Sequence, residues 1–406
     1  MSLYRWELKK ILGRRAARLA LALILLWTVA GTLVNVYVNN GYTISNDLPR
    51  VSGPEEIANQ LAWAERWRGP LTGEKLAQAQ GVIYDFYHDP ANRTPDGNVD
   101  FDGWVQTIRP MGGMGYTLSD IAAAVYDYPY AEATELEPHR LLNYYDDWAA
   151  AVTRWLDSQF DDPADRAVFE AQEAGVRTPF QFDWYGGQFT VLETFRDILI
   201  GVCLLLGIAL APVFSDEVQS GVLAVSHCTR RGRRRLALAK LAAALTVAAL
   251  VWCVVAALLV AGQLFFFGTR GLDCPIQLFK PLATAPLTFG DCERFALVLG
   301  LACCLGTAGI TAGVSGLLGS NFAAMAVVFG LLVLQPMFAG MLPDFWRQLV
   351  GLMPTAVDFY DLFCQNLYHF GPLRLWSPLA QLAAQPLWVA VMMPAAGVFY
   401  VRRQVR

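Results

Sequence analysis

Charge is what this chain has least of. Only 16% of its 406 residues are Asp, Glu, Lys or Arg, and 55% are hydrophobic. An ordinary soluble domain carries about 25% charged residues. Five stretches hold no charge at all: 19–46, 198–215, 241–269, 295–343 and 375–401. Such runs exclude an ordinary water-soluble globule, because roughly 20 apolar residues in a helix cross a bilayer core about 30 Å thick. Other absences exclude chemistry. No Gly-x-x-x-x-Gly-Lys-Ser/Thr occurs, so no loop is built to cradle a nucleotide phosphate, and the chain is not expected to hydrolyse ATP itself. No His-Glu-x-x-His occurs, and His88, His139, His227 and His369 show no ligand spacing, so no metal or catalytic site is expected. The charge-free stretches lack the midplane carboxylates that proton- or sodium-driven carriers use. Residues 39–193 contain none of the eight cysteines, which excludes a disulfide scaffold there.

What is present predicts six membrane spans. Four of the charge-free stretches hold one each. The fourth, 295–343, is too long for one and must fold back, with Gly316-Leu-Leu-Gly-Ser-Asn321 as the turn. The first apolar run is too long for a cleaved signal peptide and has no clean small-x-small site, so it reads as a retained span. Positive charge gives the orientation. Arg5, Lys9, Lys10, Arg14, Arg15 and Arg18 precede the first span, Arg230, Arg231, Arg233, Arg234 and Arg235 lie between the second and third, and Arg402, Arg403 and Arg406 follow the last. With six spans these segments share one side, which the positive-inside rule makes cytoplasmic. Segment 39–193, with 10 Lys/Arg against 25 Asp/Glu and a net charge of −15, falls on the other. The expected fold is an all-α polytopic membrane protein of six transmembrane helices with a mostly helical extracytoplasmic domain. Its expected place is the cell membrane, multi-pass, with both termini cytoplasmic.

The expected parts run in order: 1–18, an amphipathic cytoplasmic helix; 19–38, the first span; 39–193, the outer domain; 194–214, the second span; 215–236, a cytoplasmic loop; and 237–406, spans three to six with an outer segment 342–377. Near the start, Tyr4, Leu8, Ile11 and Leu12 share one helical face, with Arg5, Lys9 and Lys10 turned away. In the outer domain Pro54-Glu55-Glu56 opens a helix and Thr72 caps Gly73–His88. Asp89–Asp102 reads as a loop, and Glu132–Phe160 as one or two further helices. Aromatics such as Trp67, Trp104, Tyr144 and Trp148 read as core. Segment 342–377, with Pro343, Pro354 and Pro372 and several aromatics, reads either as short helices dipping back into the outer leaflet or as an interfacial loop. Cys274 and Cys292 fall in one outer loop, and spacing alone does not decide whether they pair.

The densest positive charge, Arg230–Arg235, follows a patterned stretch. Val218, Gly221, Val222 and Val225 stand at i, i+3, i+4 and i+7, one stripe on a short helix that Glu217 precedes. The arginines anchor topology beside anionic lipid, worth roughly 1 kcal/mol each. A short amphipathic helix between two spans also suits a partner's groove, with the arginines steering it. Gly313-Val-Ser315-Gly316 superficially matches the serine motif of an intramembrane protease, but no later span offers a base histidine. Gly309, Gly313 and Gly316 are better read as close helix contacts.

The stretch "FSDEVQSGVLAVSHCTRRGRRRLALAKLAAA" resembles the permease subunits of ABC-type exporters of the second class. Those carry a Glu in a Phe-x-x-Glu-like context, a Gly four residues on, a short coupling helix, a basic turn and a Leu-x-x-Lys-Leu entry into the third span. Here these are Glu217, Gly221, the turn Arg230–Arg235 and Leu236–Leu241, with Val222 where threonine is common. The opening "YRWELKKILGRR" resembles the family's elbow helix, and the prolines of 342–377 its outer re-entrant helices. The resemblance covers the spans and inner loops but not the large insert 39–193. It implies a transport subunit, not an enzyme, that moves a peptide, antibiotic or lipid-like substrate outward. It also implies a homodimer, or a heterodimer with a similar permease. A separate cytoplasmic ATPase subunit, holding ATP and Mg, would dock on Glu217, Val218, Gly221, Val222, Val225, Arg230, Arg231, Arg233, Arg234 and Arg235. No cofactor on this chain and no nucleic-acid partner are expected. The other reading is a membrane-anchored sensor or scaffold whose outer domain binds an external ligand.

Overall fold

The structure is a computed structural model, and it describes residues 2–42, 51–229, 232–334 and 338–403. It is mostly helical. Helix α1 is Leu3–Gly13 and α2 is Arg15–Val34, prolonged by one wide turn to Asn39. The outer segment holds α3 (Pro54–Glu65), α4 (Gly73–His88), α5 (Phe101–Thr107), α6 (Gly112–Val125), α7 (Tyr144–Gln159) and α8 (Pro163–Glu173). Then come α9 (Gly186–Leu210), α10 (Pro212–Gln219), α11 (Val222–Cys228), α12 (Arg234–Phe266), α13 (Phe289–Leu317) and α14 (Asn321–Val333). Two short helices, α15 (Asp344–Gly351) and α16 (Phe359–Leu362), precede the last, α17 (Ser377–Arg402). Strands are confined to three antiparallel pairs: β1 (Gly41–Tyr42) with β2 (Val51–Ser52), β3 (Gly69–Pro70) with β4 (Gln181–Phe182), and β5 (Leu367–Phe370) with β6 (Leu373–Trp376).

Among the described residues five helices are long and apolar enough to cross a membrane: Arg15–Asn39, Gly186–Gln219, Arg234–Phe266, Phe289–Leu317 and Ser377–Arg402. The helix in the place of the expected fifth span, α14, has 13 residues, roughly 20 Å at 1.5 Å per residue and short of the hydrocarbon core. The turn before it, 318–320, lies inside the expected fold-back, and Ser320 caps α14 by accepting from Ala323 N. Helices α9 and α13 are central, with 67% of each apolar window buried, against 28%, 33% and 22% for α2, α12 and α17. Close packing of α13 on α17 rests on small residues. A side chain at Gly309 would meet Val389 Cα at 3.0 Å, and one at Gly316 would meet Ala396 Cα at 2.9 Å. Small residues let backbones approach in this way.

The outer segment builds its core largely from the expected aromatics, although Trp104 is only half-buried. Trp67, Phe86, Tyr144 and Trp148 are buried, and Thr72 Oγ1 caps α4 by accepting from Lys75 N. The 130–143 stretch is two 3-10 turns rather than α-helix, because Pro138 cannot continue a helix begun before it. The segment is joined to the spans at several points. Trp148 Nε1 donates to Pro281 O at 2.6 Å, and Thr284 Oγ1 to Gln172 Oε1 at 3.2 Å. Arg374 of β6 pairs with Asp162 and Asp165, and His369 Nε2 lies 3.0 Å from Asp165. Segment 342–377 therefore consists of two helices of eight and four residues and a β-hairpin. Its hairpin grips the outer segment. Cys274 and Cys292 are both free and buried. Cys274 Sγ accepts from Asp183 N, and burial pushes its thiol up to about 12.

Candidate functional site

Helix α1 is shorter than the expected 1–18. Ser2 caps it, and at Arg14 the backbone turns extended, with ψ 135°. Arg14 leaves the helix to reach Asp216, 2.7 Å away. The buried face of α1 is the expected one in part: Tyr4 and Leu8 pack against the core and Arg5 and Lys9 are exposed. Glu7 and Ile11 are buried, whereas Leu12 is exposed. Lys10, expected to turn away, points inward to Glu217 Oε1 at 3.3 Å. Tyr4 Oη donates to Thr246 Oγ1 and ties α1 to α12.

The inward turn of Lys10 is explained by a neutral cluster of six ionic groups. Lys240 is fully buried, with Nζ 2.8 Å from Glu217 Oε1 and 3.1 Å from Glu7 Oε2. Its third donor goes to Val213 O at 3.1 Å. Tyr400 Oη donates to Glu217 Oε2 at 2.8 Å. Lys10 lies 3.6 Å from Asp216. Three carboxylates (Glu7, Asp216, Glu217) thus face three cations (Lys10, Arg14, Lys240). Burying an unpaired charge costs several kcal/mol, so this balance lets the group lie inside the fold. The six groups come from α1 and the corner after it, from α10 and from α12, with Tyr400 of α17 bonded to them, so four distant parts of the chain meet here.

Glu217 is therefore an interior residue, 2% exposed. The sequence reading places it among the docking residues, just ahead of the short helix. The expected single stripe from Val218 to Val225 is also divided. Gly221 takes a left-handed conformation, φ 72°, and ends α10 before α11 begins, a backbone state that glycine adopts without a Cβ penalty. Val218 stays half-buried on α10, with Cγ1 against Gly319. Beyond the bend Leu223 is buried, while Val222 and Val225 are 48% and 68% exposed. They form a small apolar knuckle at the end of the fold that also carries α1.

The basic turn folds back over α11. Gly232 N donates to Thr229 O, and a side chain at Gly232 would strike Ser226 O at 1.6 Å. Arg233, Arg234 and Arg235 are exposed beside the knuckle. Arg230 and Arg231 lie outside the described residues. His227 packs edge-on against Tyr400, with centroids 5.1 Å apart. Burial first, and the charge of Arg233 second, hold its imidazole below the usual histidine range. It stays neutral near pH 7. Tyr400 thus touches both the ion cluster and α11, and its hydroxyl oxygen also lies 3.3 Å from Gly232 O.

The Ser315 hydroxyl is buried and engaged in helix packing. Its Oγ accepts from Phe214 N and Ser215 N, at 3.0 and 3.1 Å, and donates to Ala211 O. It fastens α13 to the α9–α10 corner, where Pro212 interrupts the helical ladder. Sequence reasoning missed Glu7 and Tyr400, and it met Lys240 only as the lysine of the Leu-x-x-Lys-Leu entry, without its partners. Lys240 carried one signal, a lone lysine at the entrance of a long apolar run. A scan against models of known protein families finds no match, and a search of curated proteins finds none either.

Proposed function

We propose that this chain is the membrane permease subunit of an ATP-binding-cassette exporter, in which the 13-residue α14 crosses as a short sixth span in a locally thinned bilayer and both termini are cytoplasmic. Its α11 knuckle docks a separate ATPase subunit, and two permease chains work as a pair. The observation that carries this reading is the connection of the exposed pair Val222 and Val225 to the buried ion cluster. Leu223, His227 and Tyr400 join α11 to Glu217, and Glu217 joins α10 to α1 and α12. A push on the knuckle is transmitted to the roots of several spans at once, because interior ion pairs and packed side chains do not yield smoothly. In this reading Val222 and Val225 fill a groove on the ATPase, and Arg233, Arg234 and Arg235 orient the approach. Glu217 is a positioning residue and not a contact. ATP and Mg belong to the partner. The substrate class is left as the resemblance gives it: peptide, antibiotic or lipid-like.

The test is to look for a soluble ATPase with a phosphate-binding loop in the adjacent reading frames and to co-purify it with this chain. The double variant Val222→Asp with Val225→Asp is expected to lose the ATPase while the permease still inserts. Arg233→Glu with Arg234→Glu is expected to weaken capture at low salt and to leave the remainder less sensitive to added salt. Undiminished capture and transport in both variants would overturn the docking role.

A further inference from the structure

The outer segment meets the membrane helices around a cavity of about 340 Å³. Ligand pockets usually enclose roughly 300–1,000 Å³. Its walls come from α3, α6, the start of α9 and the residues just after α2, with Phe279 closing one side. The lining is aromatic. Trp184 and Tyr185 are buried at its floor, 3% and 5% exposed, while Tyr116 and Tyr130 stand open at its rim. No Lys or Arg is among its described lining residues.

Two carboxylates face this space, and they differ. Glu56 is already matched: Arg109 Nη2 lies 2.8 Å from it, and Gln60 Nε2 donates at 2.9 Å. Asp120 has neither an ion pair nor a side-chain hydrogen bond to its carboxylate among the described residues. The cation acting on it from a distance is Lys280, whose Nζ is engaged elsewhere, 3.4 Å from Asp361 and 3.4 Å above the Tyr360 ring. Burial pushes the Asp120 carboxyl up to about 6, with Lys280 opposing. At neutral pH an uncompensated negative charge therefore borders an aromatic cavity.

We propose that this cavity binds a small organic cation, its ammonium group against Asp120 and ringed by Tyr116, Tyr130, Trp184 and Tyr185. Aromatic faces attract a cation through their quadrupole, most strongly where water is excluded. A metal ion fits the donors less well, since no three His, Cys, Asp or Glu side chains converge among the described residues. The net charge of −15 on segment 39–193 raises the local concentration of any cation outside the cavity. The inference does not rest on the export reading, and loss of ATPase docking leaves it standing.

The experiment is calorimetric titration of the full chain in lipid nanodiscs with benzyltrimethylammonium, with benzyl alcohol and benzoate as uncharged and anionic comparators. The expected result is saturable binding of the cation and much weaker binding of both comparators. Asp120→Asn is expected to weaken cation binding at least about tenfold, and Tyr116→Ala several-fold. Asp102→Asn, an exposed acid away from the cavity, removes the same charge and is expected to leave binding within about twofold. The proposal is overturned if benzyltrimethylammonium shows no saturable binding, or if benzyl alcohol matches it. It is equally overturned if folded Asp120→Asn and Tyr116→Ala proteins, checked by thermal midpoint, bind like the parent.

Discussion

Lys240 buries its charge among Glu7, Glu217 and Val213 O, and removal of one partner leaves the others exposed to its field. Breaking a buried pair from one side costs about 3–5 kcal/mol. Glu217→Ala is therefore expected to lower the thermal midpoint sharply. Combining it with Lys240→Met should cost less than the two single changes added together, because the pair leaves as a unit. Additive losses would mean that the pair is not coupled. Asp120 gives a pH-dependent counterpart. Its folded-state carboxyl titrates at about 6, above its ordinary value of 3.8, so the folded state holds the proton more tightly. Its ionisation costs stability progressively between about pH 4 and 6, and the loss is complete above that window. Asp120→Asn is expected to be more stable than the parent at pH 7.5, by on the order of 1 kcal/mol after solvent screening. The difference should vanish near pH 4. A melting series across that range checks both the sign and the window. None of this was legible residue by residue. Glu217 was visible in the sequence as a singular acid, but no spacing rule links positions 7, 217, 240 and 400.

Elements were more legible than their contacts. Helix α4 was readable because Thr72 caps it and apolar spacing continues to His88. The long apolar helices were readable from charge alone. Helix α6 was not, since three of its first four residues are glycine, which local propensity disfavours in a helix. It forms because Met114, Leu118, Ile121 and Val125 bury one face in the outer core. The bend at Gly221 was misread because i, i+3, i+4 spacing says nothing of φ. At this scale Gly232→Ala is expected to disturb the basic turn, since its methyl cannot coexist with Ser226 O at 1.6 Å. Faster tryptic cleavage at Arg233–Arg235 than in the parent would report the displacement, and an unchanged rate would contradict the tight turn. Gly316→Leu is expected to force α13 from α17, where Ala396 Cα leaves 2.9 Å. Overpacking of this kind costs about 1–3 kcal/mol or more, read as a lowered midpoint with α10 and α11 otherwise intact.

For the molecule as a whole, most helices share one large hydrophobic core with the outer segment, running from Ile11 to Tyr400, while α14 packs in a separate cluster with Ala211, Ile310 and Val314. Its two ends differ in character. One carries the acidic outer segment and the aromatic cavity. The other carries α1, the ion cluster and the knuckle of Val222 and Val225. The overall helical membrane architecture could be read from the charge-free runs. Span number could not be read as securely, because α14 is only 13 residues long and hydropathy does not report where a helix ends. Docking by a cytosolic ATPase requires the knuckle to face the cytosol. Cys228 offers a direct probe, being exposed at the end of α11. With the other seven cysteines replaced by serine or alanine, a membrane-impermeant maleimide should label Cys228 in broken cells and leave it untouched in intact ones. Labelling of Cys228 in intact cells would place the knuckle outside and contradict a cytosolic docking site.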